Sequence, residues 1–188
     1  MSEEKKQKKP PKPMNESLFR AVCWVALHQR VSNLLCVALA VLCVSAVFFF
    51  VPGAWWNYVM IGLAVLILLL YRAVSKAPAQ AVREWRRRWM AVEKFGAEGP
   101  EKLLEVSKEA YAYFLQLEQA LPVLAKKELN VYLTYWKAVF LHTLGRKEEA
   151  LSLLRGFDQF WDEGFRADFQ RLIDKLSEAE GKDTPKEI

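Results

Sequence analysis

The sequence predicts an all-α protein in which a two-helix transmembrane hairpin precedes a small cytoplasmic domain of antiparallel helices. First, residues 31–71 contain no Asp, Glu, Lys or Arg, although the chain of 188 residues carries 27 basic and 22 acidic side chains. Second, basic residues cluster on both sides of this run, and third, apolar residues recur at helical spacing after residue 98. The charge-free run is about twice as long as one bilayer crossing, which argues against a soluble globule, a secreted domain or a disulfide scaffold.

Two segments are predicted before the membrane. Residues 1–14 contain five lysines and three prolines, a composition typical of a disordered basic head. Residues 15–30 place apolar side chains at helical spacing and predict a juxtamembrane helix. This helix would either lie at the lipid–water interface or extend the first span into the cytoplasm.

The predicted hairpin divides into two spans, residues 31–51 and 54–71. A helix of 21 residues is roughly 30 Å long, which matches the hydrocarbon core of a bilayer. Pro52 and Gly53 break the helix, and the short connection makes the two spans antiparallel neighbours. Aromatic side chains at the bend are expected at the lipid–water interface: Trp55, Trp56 and Tyr58.

The basic flanks predict the orientation of the hairpin. Residues 1–14 carry five lysines against two glutamates, and residues 72–90 carry six basic residues against Glu84 alone. Lys and Arg near the ends of spans stay on the cytoplasmic side. We therefore expect a two-span protein of an inner or plasma membrane with both termini in the cytoplasm.

Residues 72–98 are predicted to form a basic amphipathic linker helix. Trp85 and Trp89 fall on its apolar face, around the basic run Arg86, Arg87 and Arg88. In one interpretation this helix lies on the membrane surface, where its arginines contact anionic headgroups. In the other, the tryptophans pack against the domain that follows. Nucleic-acid binding is not expected, because the run lies close to the bilayer and no recognition motif accompanies it.

Residues 99–181 are expected to form the cytoplasmic domain, followed by a disordered polar tail at residues 182–188. Pro100 suits the first position of a helix, and later breakers separate further helices. Four helices with one apolar stripe each are predicted, over residues 101–121, 126–144, 147–161 and 165–179. Because each stripe needs a partner and the connections are short, sequential helices should pack antiparallel.

The turn at residues 144–151 resembles that of the tetratricopeptide repeat (TPR) family. Gly145 ends one helix and Ala150 follows five positions later, while Ala138 matches the small residue of the repeat's first helix. Such small residues let the two helices of a repeat approach closely. These three positions are therefore expected to lie where the two helices of a repeat pack against each other.

An upstream stretch is similar to the second helix of such a repeat, through Ala110, Phe114 and Pro122. The sequence departs from the family in two respects. Ala110 and Ala150 are 40 residues apart where the family has 34, and Thr134 takes the usual tryptophan position. The resemblance implies stacked helix pairs with a concave surface for a peptide or partner helix. A generic helical bundle is the alternative.

No catalytic constellation is recognisable in the sequence. His28 and His142 are the only histidines, and no nucleophile, phosphate-loop or zinc-protease motif occurs. The three cysteines have no metal-binding spacing. We therefore expect a protein that is not an enzyme, without cofactor or metal, whose domain binds a protein partner. Surface positions expected to contact that partner are Tyr132, Tyr135 and Lys137.

The expected role is that of an inner-membrane adaptor or scaffold that organises partners of a membrane assembly. The architecture resembles that of the TPR-bearing inner-membrane subunit of Pel-type exopolysaccharide secretion machinery, which implies a secretion or exopolysaccharide assembly. One alternative is an accessory subunit of a channel or transporter, with small residues of the spans forming helix seams. Another is a regulatory protein that senses anionic lipids.

Overall fold

The computed structural model describes residues 14–49, 54–95, 99–122, 126–159 and 163–178. Within these ranges all regular secondary structure is helical, which confirms the all-α prediction. The helices are α1 (Glu16–Leu27), α2 (Gln29–Phe49), α3 (Ala54–Phe95), α4 (Gly99–Ala120), α5 (Lys126–Thr143), α6 (Lys147–Arg155) and α7 (Glu163–Glu178). Residues 1–13 of the predicted head, Pro52, Gly53 and the predicted tail lie outside the described residues.

A sharp bend at His28 separates α1 from α2, and the axes of the two helices differ by 85°. Helix α1 packs against α3 and α4, and its buried residues are Phe19 and Ala26. Because of this bend, α1 is not a straight extension of α2, and it buries Phe19 and Ala26 while Leu18 and Trp24 stay exposed.

Helix α3 is continuous over 42 residues and includes both the second apolar segment and the basic segment after it. The prediction of a separate linker helix is corrected accordingly. Pro78 lies inside α3, where it removes one backbone hydrogen bond. Strong helix formers stand on both sides of this proline, and the helix continues to Phe95.

Helices α2 and α3 pack together and expose much apolar surface. Residues of α2 between 36 and 43 and residues of α3 between 60 and 71 line one groove. Because α2 packs on α3 and only four residues connect them, the two helices are antiparallel. Among the described helices, α3 alone is long and apolar enough to cross a membrane by itself. Helices α1 and α2 pass the same test only when the bent pair is counted as one span.

Two apolar clusters form the interior of the described chain. The first joins α1, the second half of α3, α4 and α5 around Trp85, Phe114 and Phe140. The second joins α5, α6 and α7 around Leu154 and Phe169. The second half of α3 is thus a core helix of the domain, since its buried residues belong to the first cluster.

The turn between α5 and α6 has the glycine-dependent geometry that the sequence suggests. Gly145 has a φ of +76°, and the N–H of Arg146 donates to the carbonyl of Leu141 at 2.9 Å. This is a common way to end a helix, because glycine adopts the left-handed conformation without steric cost. Helix α6 then ends at Arg155, earlier than the predicted residue 161, with Gly156 at its C-cap.

Candidate interaction site

Polar contacts hold the start of the described chain against α3. The backbone N–H of Met14 donates to Oε1 of Glu84 at 2.7 Å, and Glu84 is only 1% exposed. A nitrogen of Arg87 lies 3.4 Å from the other carboxylate oxygen of Glu84. These donors offset the cost of burying a carboxylate. Met14, expected in the disordered head, is therefore anchored to the folded part of the chain.

Arg88 joins α3 to α1. Its Nη2 donates to Glu16 at 2.8 Å, and its guanidinium lies 3.8 Å from the centre of the Phe19 ring. The hydrogen bond from Arg88, followed by that from Arg20, lowers the pKa of Glu16. The prediction placed Arg88 at the membrane interface, whereas its guanidinium in the structure contacts another helix of the chain.

Trp85 and Trp89 are covered by protein. Trp85 is 6% exposed, with its ring 5.1 Å from Phe19 and 6.1 Å from Tyr113. The half-buried ring of Trp89 lies 5.8 Å from the ring of Trp136. The sequence allows this helix face to contact either the membrane or the domain that follows. The ring contacts of both tryptophans agree with packing against the domain. The assignment of Trp85 to the membrane interface is corrected, because side chains of α1 and α4 surround its ring. The assignment of the half-buried Trp89 stays a prediction.

A groove of about 1040 Å³ lies between the second half of α3 and α5. Apolar side chains in its lining include Val82, Met90, Leu129 and Trp136. Cationic side chains in its lining are Lys76, Arg83, Arg86, Arg87 and Lys94, against one acidic residue, Glu128, among the described residues. We call this feature the cationic groove. Arg86 and Arg87, predicted at the membrane interface, thus belong to a concave surface between two helices.

Several cations of the cationic groove have no acidic partner among the described residues. The Arg86 guanidinium lies 5.4 Å from the centre of the Trp136 ring. Lys76, Arg83 and Lys94 form no ion pair with any residue in the described ranges. The groove therefore keeps a strong positive charge beside apolar surface, a combination that suits an anionic amphiphile.

Gln29 also lines the cationic groove and has an unsatisfied polar atom. The residue is 4% exposed, and its Oε1 accepts no hydrogen bond from any described residue. A buried amide oxygen without a donor costs about 1–3 kcal/mol. The sequence contains no local signal for this site, because a glutamine at the start of a helix is usually exposed.

Of the three residues expected to contact a partner, Tyr132 is the exposed one. Its exposed fraction is 37%, and it lines the cationic groove. Lys137 is 6% exposed and donates to Glu118 at 2.8 Å, so it is corrected from a surface position to a buried ion pair between α5 and α4.

Tyr135, the third of these residues, is half-buried. Its ring lies 5.7 Å from the rings of both Trp136 and Phe169. Burial, with the negative charge of Asp168, raises the pKa of the Tyr135 phenol. Its contacts belong to the interior of the domain.

The residues expected to pack a repeat lie inside the domain. Ala110 and Phe114 are fully buried in the first cluster, and Ala138 and Ala150 are fully buried in the second. Pro122 is half-buried after α4. This burial suits a TPR and suits a generic helical bundle equally.

Trp55, Trp56 and Tyr58, which the sequence predicts at the lipid–water interface, fall at the start of α3. Trp55 and Trp56 belong to its first turn, and the side chain of Tyr58 is exposed. A smaller apolar groove of about 310 Å³ lies between α2 and α3, with Cys36 and Cys43 in its lining. All three cysteines are free thiols.

Titratable groups are dispersed over the described chain. No group of three or more His, Cys, Asp or Glu side chains within it is placed to hold a metal ion. His142 lies in the last turn of α5, where the helix dipole favours protonation. Partial burial, followed by the charges of Lys175 and Lys147, nevertheless lowers its pKa. Burial raises the pKa of the Cys23 thiol to about 11.

In comparisons with known proteins, no family model, no curated protein and no solved structure matches this chain. Any functional conclusion therefore depends on the geometry and chemistry of its own residues.

Proposed function

We propose that this chain is a non-enzymatic adaptor that crosses a membrane twice and holds a TPR-like domain at the cytoplasmic surface for partners of a membrane assembly. The division of α3 into two environments carries this proposal. Residues 58–71 are mostly exposed and uncharged, whereas Val82 and Trp85 are buried in the first cluster. One continuous helix would therefore serve both as membrane anchor and as core element of the domain.

The proposed hairpin consists of α2 and the first half of α3. Leu34, Leu42 and Leu68 are each about two-thirds exposed, which suits contact with lipid. The basic residues after Tyr71 favour a cytoplasmic position for the second half of α3. The bend at His28 keeps α1 on that same side.

The proposed partner-binding surface lies on the helical domain. Helices α4, α5 and α6 pack in sequence, as TPR helices do. Leu104 and Leu115 on α4 are exposed, as is Tyr132 on α5. Exposed apolar side chains on a small domain are suited to partner contact.

Cysteine labelling tests the topology. In a full-length chain with C23A, C36A and C43A, we would place single cysteines at Asn57 and at the exposed Ser152. A membrane-impermeant maleimide should label N57C in intact cells and S152C only after permeabilisation. Labelling of S152C in intact cells would contradict the orientation, and release of the chain by alkaline carbonate would contradict the anchor.

Copurification of the full chain in mild detergent separates the adaptor from an accessory subunit. The variant L104E/L115E alters the exposed surface of the domain. The variant A64L alters the apolar groove between α2 and α3. A stoichiometric partner lost with L104E/L115E and kept with A64L supports the adaptor. A partner lost only with A64L supports the accessory subunit. Circular dichroism should show unchanged helix content in both variants.

A further inference from the structure

We infer that the cationic groove binds an anionic glycerophospholipid whose headgroup carries free hydroxyl groups. The inference rests on the membrane placement proposed above, but it concerns the groove between α3 and α5, which shares only Tyr132 with the proposed partner-binding surface and does not include the exposed leucines of α4. Four features support it: the position of the groove along α3, its cations without ion pairs, its apolar lining, and the unsatisfied amide of Gln29.

The position of the groove along α3 places it at the level of the lipid headgroups when the apolar segment spans the membrane. Arg72 is the first charged residue after the apolar segment, and Lys76 lies four residues later, about 6 Å along the helix. The polar layer on each side of a bilayer is about 5–8 Å thick. Lys76 would therefore stand among the headgroups. Arg83 lies about 10 Å further along the helix, and its long side chain is able to extend toward a phosphate.

The charges of the groove favour a phosphate ester. Lys76 and Arg83 line it without an ion pair to any described residue, and Glu128 is the single acid in its described lining. Arginine and lysine bind phosphate oxygens through charge-assisted hydrogen bonds. Basic pockets between helices on the cytoplasmic side of a membrane are suited to phospholipid headgroups.

The apolar lining favours a lipid over a free phosphate. Val82, Leu129 and Trp136 line the same groove as the cations, and its volume of about 1040 Å³ exceeds what a small headgroup needs. The glycerol backbone and the upper part of an acyl chain would cover this apolar surface. A free phosphate ester would leave it exposed to water.

Gln29 supplies the reason to expect hydroxyl groups. The residue lines the groove, and its amide oxygen is buried and accepts no hydrogen bond from any described residue. A phosphate oxygen has no proton to donate to it, whereas a headgroup hydroxyl donates one hydrogen bond. A phospholipid with a polyol headgroup therefore satisfies both the cations and this amide.

The test is native mass spectrometry of the purified full chain in a neutral detergent, titrated with defined lipids of identical acyl chains. Phosphatidylglycerol should bind at least tenfold more tightly than phosphatidylcholine. It should also bind about three- to tenfold more tightly than phosphatidylethanol, which has the same charge and no hydroxyl. Glycerol 3-phosphate, the free-headgroup arm, should not displace it at equal concentration.

Two matched double variants separate the groove from general surface charge. K76Q/R83Q removes two exposed cations of the groove and should weaken phosphatidylglycerol binding about tenfold or more. R30Q/R72Q removes two exposed cations that border the apolar segments but do not line the groove, and should change binding less than threefold. In Q29L, the preference over phosphatidylethanol should disappear while the preference over phosphatidylcholine remains.

Several results would overturn the inference. Equal losses in the two double variants would assign the binding to general surface charge. Equal affinity for glycerol 3-phosphate would assign the groove to a free phosphate ester. Tighter binding of a synthetic acidic amphipathic helix than of phosphatidylglycerol would assign it to a protein. If the chain shows no lipid selectivity but N57C and S152C are labelled as expected, the lipid inference is wrong and the adaptor proposal stands. The two proposals therefore fail separately.

Discussion

The ring of Phe19 in α1 meets the ring of Trp85 in α3 edge-on, with centroids 5.1 Å apart and planes at 78°. Edge-to-face packing of this kind is favourable beyond the area it buries. Trp85 also lies 6.1 Å from Tyr113 of α4, so one indole joins three helices. Helix α1 is thereby part of the same interior as α4 and α5.

Replacement of Trp85 by alanine should strongly destabilise the domain. W85A leaves a cavity among Phe19, Tyr113 and the surrounding core, and large-to-small changes of this kind cost about 3–5 kcal/mol. The free energy of unfolding should be measured by denaturant titration of the full chain in detergent. W24A is the control, because Trp24 is exposed and should cost less than about 1 kcal/mol. Equal losses would contradict the role of Trp85.

Replacement of Glu84 should release the start of the described chain. In E84L the N–H of Met14 loses its acceptor, and the loss of a hydrogen bond worth about 1 kcal/mol should lower amide protection at Met14 about fivefold. Hydrogen exchange of the N-terminal peptide measures this change. E84Q keeps an acceptor oxygen and should lose less protection. Unchanged exchange in both variants would show that Met14 is not held by Glu84.

Replacement of Gly145 should strain the turn between α5 and α6. Its φ of +76° lies in the left-handed region, so G145A should cost about 1–2 kcal/mol in the free energy of unfolding. G62A is the matched control, because Gly62 lies within α3 and an added methyl group meets no described atom within 4 Å. That substitution should be neutral or slightly stabilising. A neutral G145A would contradict the glycine requirement.

His142 should make stability depend on pH below neutrality. Burial and two lysines lower its pKa in the folded state, so between the folded pKa and the unfolded value near 6.5 the unfolded chain binds more protons. Stability should therefore rise with pH through this window and fall as the pH drops through it. H142Q should flatten the profile that denaturant titration gives between pH 5 and 7. An identical slope in H142Q would assign the pH dependence to other groups.

Local features of the sequence predict most helix positions. Gly145 and the apolar stripes act within one helix or turn, and the structure places helices close to the predicted ranges. The continuity of α3 was missed because the charge boundary at Arg72 marks a change of environment and not a change of backbone conformation. Helix α6 ends earlier than its apolar stripe predicts, because Gly156 ends the helix at its C-cap.

The residues of the candidate site were harder to predict. Lys137 has the residue type of a surface position, yet its partner Glu118 lies on another helix. Gln29 also has the residue type of a surface position, yet it is only 4% exposed. The apolar face that carries Trp85 and Trp89 suits lipid or protein equally well, since both remove an indole from water. The sequence pattern therefore does not predict whether lipid or protein covers this helix face.

The sequence by itself determined the charge-free run, its basic flanks and the all-helical fold, because hydropathy, charge and helical periodicity act through neighbouring residues. Only the tertiary structure decided that α1 returns to α3, that Trp85 and Trp89 face the domain, and that five cations of α3 line a groove. Those outcomes depend on which helix faces meet, and the meeting is set by packing between segments far apart in the chain.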